Sequence, residues 1–332
     1  IAGELGKLSD FVGYFTAKKF NAFRAFGCWG NTGFNPVHDQ RNYEKLAELD
    51  AWLNVRDARL FLTGFTDQVD GSSVLMSKAE QDFHHAQCAE ALLRRKTSWR
   101  EWVNEYRKNW KEPYPIPLSR SVGSGVVSTI STWYDGHDPQ EQGQYLDYLT
   151  KHLGGFDEEW SRKSKVGHEA QRQGLGAHPA AGKPCVIGEK PRIAEGTLPR
   201  EWADSAALEE MLCSGGCLHG GFGPSRGHDS DLQHCVIPTN PDAVACIDAA
   251  ASVFDVIDPH TAANGEYRNG PSNGVLEHDD SRMLRTYVMI EGSKATAVRV
   301  KGRKPGQPAV PVNDWRITDQ RGYEDNVFFL ER

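Results

Sequence analysis

Two glutamates in this chain stand where a carboxylate can do chemistry. Glu105 follows Asn104 at the end of an apolar-alternating run from Trp99, after which the sequence turns polar and aromatic. Glu189 closes a short apolar run from Lys183 through Gly188. A carboxyl at the carboxyl end of a buried strand points into a pocket rather than over a surface. Two of them suit the cleavage of a glycosidic bond. Glu105 would protonate the leaving oxygen and later activate water, and Glu189 would attack the anomeric carbon. The amide of Asn104 is placed to hydrogen-bond a sugar's 2-hydroxyl, a contact that strengthens in the transition state. Each glutamate also has a plainer reading. Glu101, Glu105 and Lys108 have the spacing of an ion-pair series on a helical surface. Glu189 could pair with Lys190 or Arg192 at a strand end.

Other residues fit around such a pair. Arg24 lies inside the apolar run Phe23 to Cys28. A charge there is rarely buried unless paired, so it either holds the nucleophile carboxylate ionised or points outward to solvent. Trp29, Trp133 and Tyr134 offer flat faces for stacking on a sugar. His152 and His219 end further strand-like runs and could position a carboxylate or bind a hydroxyl; alone, each also reads as a structural histidine. No Gly-x-Ser-x-Gly elbow and no His-Glu-x-x-His zinc helix is present. His84 and His85 are adjacent on a helical stretch and are expected to point apart. There are 7 cysteines, an odd number that argues against a complete disulfide framework. Cys213 and Cys217 alternate onto one strand face and read as buried free thiols rather than a zinc site. No metal and no cofactor is expected.

The elements that must hold these residues alternate. Helical patterns over Leu8 to Lys19, Asn42 to Leu53, Ser77 to Lys96, Glu158 to Gln173, Ala206 to Leu212 and Asn240 to Asp258 are interleaved with strand patterns. The strands are Asn21 to Cys28, Ala58 to Gly64, Trp99 to Asn104, Val126 to Trp133, Pro184 to Gly188 and Cys213 to His219; Tyr145 to His152 fits either type. Ser77 and Glu80 form a capping box, and Pro241 opens the last helix at its first position. Strand and helix in alternation predict a parallel sheet with right-handed crossovers. So many units, with no Gly-rich phosphate loop, favour a closed barrel. Seven strands can be counted, and the missing first one has no room before Leu8. From Met283 the pattern changes to period two with Gly turns, which predicts antiparallel strands. Tyr287, Met289, Val298 and Val300 are expected on one face, with Phe328 and Leu330 sharing it and lying against the helices.

At 332 residues with a net charge of −7, the chain has no general basic field for nucleic acid, and no apolar stretch is long enough to span a membrane. No signal peptide is visible at Ile1. Nothing in the sequence sets the oligomeric state or compartment.

Taken in order, these segments resemble the clan-A glycoside hydrolases, the cellulase- and mannanase-like (β/α)8 barrels of glycoside hydrolase family five. The run from Lys19 to Phe26 is similar to the family's second strand, whose Arg supports the nucleophile. Val103-Asn104-Glu105 resembles its fourth strand, Leu146 to His152 its sixth, Lys183 to Glu189 its seventh, and Ser214 to Gly223 with His219 its eighth. Tyr106 and Gly154 stand where the family often has Pro and Tyr. The resemblance implies an α/β fold, a (β/α)8 TIM-type barrel over residues 1–260, with a small C-terminal antiparallel β-sandwich over residues 261–332. It implies a retaining glycoside hydrolase acting on a β-linked poly- or oligosaccharide, with Glu105 as acid/base, Glu189 as nucleophile, and Arg24, Trp29, Asn104, Trp133, Tyr134, His152 and His219 around the substrate. The alternative is an inactive barrel that binds carbohydrate or serves a larger assembly.

Overall fold

A computed structural model describes residues 2–27, 37, 39–65, 77–93, 99–104, 126–129, 147–152, 185–189, 199–212, 235, 237–257, 266–269, 285–300 and 315–332. The chain divides into two compact units, one built from Phe20–Gly154 and Ala177–Pro184, the other from Ile1–Lys19, Gly155–Gly176 and Cys185–Arg332.

The first unit contains a parallel four-stranded sheet in chain order: β1 (Ala22–Phe26), β2 (Arg59–Phe65), β3 (Trp99–Val103) and β4 (Val127–Thr129). Between β1 and β2 runs α2 (Arg41–Asn54), and between β2 and β3 runs α3 (Lys78–Leu93). Six of the seven residues of β2 are buried, as expected of a parallel strand covered on both faces. The capping box forms as read: Ser77 N–H donates to Glu80 Oε2 at 2.8 Å, and Glu80 N–H to Ser77 Oγ at 3.3 Å. Beyond β4, Asp147 N–H bonds Ser128 O at 3.0 Å, and the Thr129 hydroxyl bonds Tyr148 O at 2.8 Å. This lays residues 147 and 148 alongside β4 and leads into β5 (Leu149–His152), so the segment that fitted either type ends as a strand.

Helix α3 packs on β2 through two histidines. A Cβ at Gly64 would stand 3.1 Å from Trp102 O and 3.5 Å from the His85 ring, so the helix comes this close over a glycine. His84 and His85 do not point apart: both rings lie against Phe65, at 4.8 and 4.6 Å between centroids. The His84 tautomer is fixed by its partners. Gly64 O, 2.9 Å from Nε2, can only accept, so Nε2 carries the proton and Nδ1 accepts from the Tyr43 hydroxyl at 2.8 Å. Burial, helped by the nearby Arg100 charge and opposed by the bond to Gly64, holds the His84 imidazole down to about 4.

A pH effect follows. The unfolded chain takes up this proton near 6.5 and the folded chain only near 4. The contribution of neutral His84 is therefore full above pH 6.5 and is lost as pH falls from there toward 4. At ~1.4 kcal/mol per unit, acidification to pH 4 should remove about 3 kcal/mol of stability through this residue. Urea midpoints measured across the window should fall less steeply in His84→Gln than in the wild type; equal slopes would reject the assignment.

The second unit holds α1 (Ala2–Ala17), β6 (Cys185–Glu189), α4 (Pro199–Leu212) and α5 (Pro241–Ala251). Pro241 occupies the first turn of α5, and Asn240 Oδ1 caps it by accepting from Asp242 N–H at 2.9 Å. Five strands then form one antiparallel sheet in the order β10-β11-β9-β8-β7, with β7 Glu266–Asn269, β8 Arg285–Glu291, β9 Lys294–Val300, β10 Arg316–Arg321 and β11 Val327–Glu331.

The register of this sheet corrects one expectation. Val298 pairs with Tyr287 and Val327, whereas Phe328 pairs with Ala297 and Leu330 with Ala295. Phe328 and Leu330 therefore share the opposite face, where they form a core with Ile290, Ala295, Ala297 and Trp315. Val298 and Val327 are also fully buried, so both faces carry apolar side chains. The turn before β11 is tied to α4. Arg200 donates from Nη1 to Tyr323 O at 3.2 Å and Glu324 O at 3.1 Å, and Asn326 Nδ2 donates to Asp204 Oδ1 at 2.9 Å. Gly322 starts this turn at φ 81°, where a Cβ would meet Asn326 Oδ1 at 2.3 Å.

Candidate active site

The parallel register decides which side chains meet. Arg24 pairs with Phe61, Thr63 with Glu101, and Glu101 with Thr129, so alternation gathers Arg24, Phe61, Thr63, Glu101 and Thr129 on one face of the sheet. Arg100 and Trp102 lie on the other face. There the Arg100 guanidinium sits 3.5 Å over the Trp102 ring, donating to Ser128 Oγ at 3.0 Å and to His85 O at 3.3 Å.

On the first face the polar groups form one network. The Arg24 guanidinium donates from Nε to Thr63 Oγ1 at 2.8 Å, and from Nη2 both to Glu101 Oε2 and to Asn104 Oδ1, the latter at 2.7 Å. The Thr63 hydroxyl, having accepted from Arg24, donates to Glu101 Oε2 at 2.6 Å. The Glu101 side chain is 0% exposed and that of Arg24 10%, so the charges answer each other in a low-dielectric setting. Phe26 and Phe61 flank the guanidinium at 4.8 and 5.5 Å. Asn104 sits just past β3, held by its N–H to Phe65 O at 2.9 Å. Its carbonyl end is turned to Arg24, so its NH2 is the donor end.

Tyr148 completes the face. Its ring lies 6.5 Å from Phe61, and its hydroxyl donates to Arg100 O at 3.4 Å. Burial, with the Glu101 charge adding to it, pushes the phenol well above its usual range, so it stays a neutral donor.

Of the residues singled out from sequence, Arg24 and Asn104 are thus in contact. Arg24 is largely shielded, its side chain 10% exposed, and paired, not turned to solvent. Glu101 does not belong to a surface helical series with Glu105 and Lys108: it is a fully buried strand residue and the carboxylate that Arg24 holds. Glu101 and Thr63 were the residues missed. Strict alternation from Trp99 would have flagged Glu101, because a charge within a buried strand needs a partner, the same argument that singled out Arg24. Glu189 and His152 end strands β6 and β5 at the backbone level. Trp29, Glu105, Trp133, Tyr134 and His219 lie outside the described residues, as do Cys213, Cys217 and the helix expected at 158–173. Cys88, Cys235 and Cys246 are not joined in disulfides. Among the described residues no cluster of three or more His, Cys, Asp or Glu could hold a metal ion. Among them, too, no helix is long and apolar enough to cross a membrane.

No protein-family model and no curated protein matches the sequence. Solved structures do match. The GH5_18 of Bifidobacterium longum subsp. longum ATCC 55813 is similar with a TM-score of 0.52 at 11% identity, over 76% of this chain and 75% of that one. A GH30 endoxylanase from Clostridium papyrosolvens C71 aligns over 97% of this chain and 92% of its own, with a TM-score of 0.48 and 9% identity. The GH5_18 of Streptomyces cattleya, solved with GlcNAc, has a TM-score of 0.40 at 13% identity; the match takes in 61% of this chain and 60% of that one. The chain thus spans about three fifths of the length of that structure. At this identity the likeness to the Bifidobacterium structure is one of fold alone.

Proposed function

We propose that this chain is a retaining glycoside hydrolase acting on a β-linked poly- or oligosaccharide. The observation that carries the reading is the part-buried Arg24–Asn104 contact, at 2.7 Å, which orients the amide of the residue that precedes Glu105 in sequence. The fold likeness supports it. In this reading Glu189 attacks the anomeric carbon while Glu105 protonates the leaving oxygen, then draws a proton from water. The reading requires a carboxyl separation of about 5 Å, the distance that double displacement needs. Asn104 donates to the sugar's 2-hydroxyl as charge develops on the ring. Trp29, Trp133 and Tyr134 stack on sugar rings, and His152 and His219 line the site. The barrel occupies residues 1–260, and residues 261–332 form a β-domain that supplies no reacting group.

The test is a screen of the purified chain on β-linked polysaccharides and aryl β-glycosides, with Glu189→Gln as control. New reducing ends should appear with the wild type and not with the variant. Sugar binding without hydrolysis would replace this reading with that of a carbohydrate-binding barrel. Activity unchanged in Glu189→Gln would place the nucleophile elsewhere.

A further inference from the structure

We infer that Glu101 and Thr63 are positioning residues that set, through Arg24, which end of the Asn104 amide faces the ligand. The kinetic part of the test rests on the glycosidase reading; the structural part does not.

An amide side chain can turn over at little cost unless its neighbours distinguish oxygen from nitrogen. Here the neighbour of Asn104 Oδ1 is a guanidinium, which has donors only. An inverted amide would set NH2 against N–H and lose the bond. Asn104 is therefore oriented as firmly as Arg24 is. Among the described residues, Glu101 supplies the opposite charge to Arg24, and Thr63 takes up its Nε–H at 2.8 Å. The Thr63 proton is in turn committed to Glu101 Oε2 at 2.6 Å, so each hydrogen in this chain of bonds has a fixed direction. The order runs from carboxylate and hydroxyl, through guanidinium, to an amide at the end of β3. Neither Glu101 nor Thr63 is required to touch a substrate.

The mildest perturbation is Thr63→Val, which keeps shape and removes one hydroxyl; Thr63→Ser keeps the hydroxyl and serves as rescue. In protein labelled with 15N on asparagine, the side-chain NH2 signal of Asn104 is identified by its absence in Asn104→Ala. Thr63→Val and Glu101→Gln should shift or broaden that signal, and Thr63→Ser should leave it in place. A signal unmoved in Thr63→Val overturns the inference, whether or not Glu101→Gln folds. For the kinetic arm, kcat/KM is compared between an aryl β-glycoside and its 2-deoxy analogue. Thr63→Val should lower the preference for the 2-hydroxy substrate by about tenfold, with no further drop when combined with Asn104→Ala. Equal losses on both substrates mean that Thr63 only supports the fold, and they overturn it too. If the wild type cleaves neither substrate, the glycosidase reading fails and the amide signal alone decides this one.

Discussion

Arg24→Met should destabilise the first unit by about 3–5 kcal/mol, the usual cost of removing one member of a buried ion pair. The variant leaves the Glu101 carboxylate, 0% exposed, with the Thr63 hydroxyl but without the cation. Methionine fills much of the space between Phe26 and Phe61, so loss of packing contributes less than the stranded charge. Replacing both partners, Arg24→Met with Glu101→Leu, removes that charge. What remains is a hydroxyl and an amide oxygen that have lost partners, roughly 1–3 kcal/mol each at most. The double variant should therefore be more stable than Arg24→Met alone, although it carries one more substitution. Denaturant midpoints at constant m-value measure both. Strict additivity of the two single losses would show that the pair is not energetically coupled.

On the proposed mechanism, Glu105→Gln should lower hydrolysis of substrates with poor leaving groups by about 10²–10⁴-fold, the range contributed by a positioned general acid. The loss should be much smaller for the first step with an activated aryl glycoside, whose leaving group needs no proton. In the wild type the rate should follow a bell-shaped pH profile, because Glu105 must be protonated while Glu189 is ionised. With the activated substrate the basic limb should vanish in Glu105→Gln. A basic limb that persists would assign the proton donor to another group.

Strands β1 and β2 were legible because each is a short, largely apolar run, and Ser77 and Glu80 mark where α3 begins. Arg24 was legible as a buried or outward charge, but its partner was not. Glu101 lies 77 positions away in sequence, and only the parallel register of β1, β2 and β3 brings the two together. Local spacing favoured the helical ion-pair reading of Glu101, and tertiary burial overrode it. The C-terminal sheet failed in the same way. Alternation placed Tyr287, Met289, Val298 and Val300 together, as the β8–β9 pairing bears out, but nothing local fixes the phase of β11 against β9. A one-residue difference moved Phe328 and Leu330 to the other face. The histidines show a third limit: adjacent helical side chains diverge by about 100°, yet a large ring such as Phe65 spans both.

The place of β11 between β9 and β10 has a consequence for biosynthesis. The β8–β9 hairpin can close as soon as residue 300 has left the ribosome, but the neighbour that covers its open side is completed only at residue 331. At about 5–20 residues per second, a backbone edge flanked by apolar side chains waits roughly 2–6 s for its partner. During that interval the nascent chain offers other molecules the same unpaired strand that β11 will claim. Slow codons between those two points should raise aggregation without changing a single residue of the product.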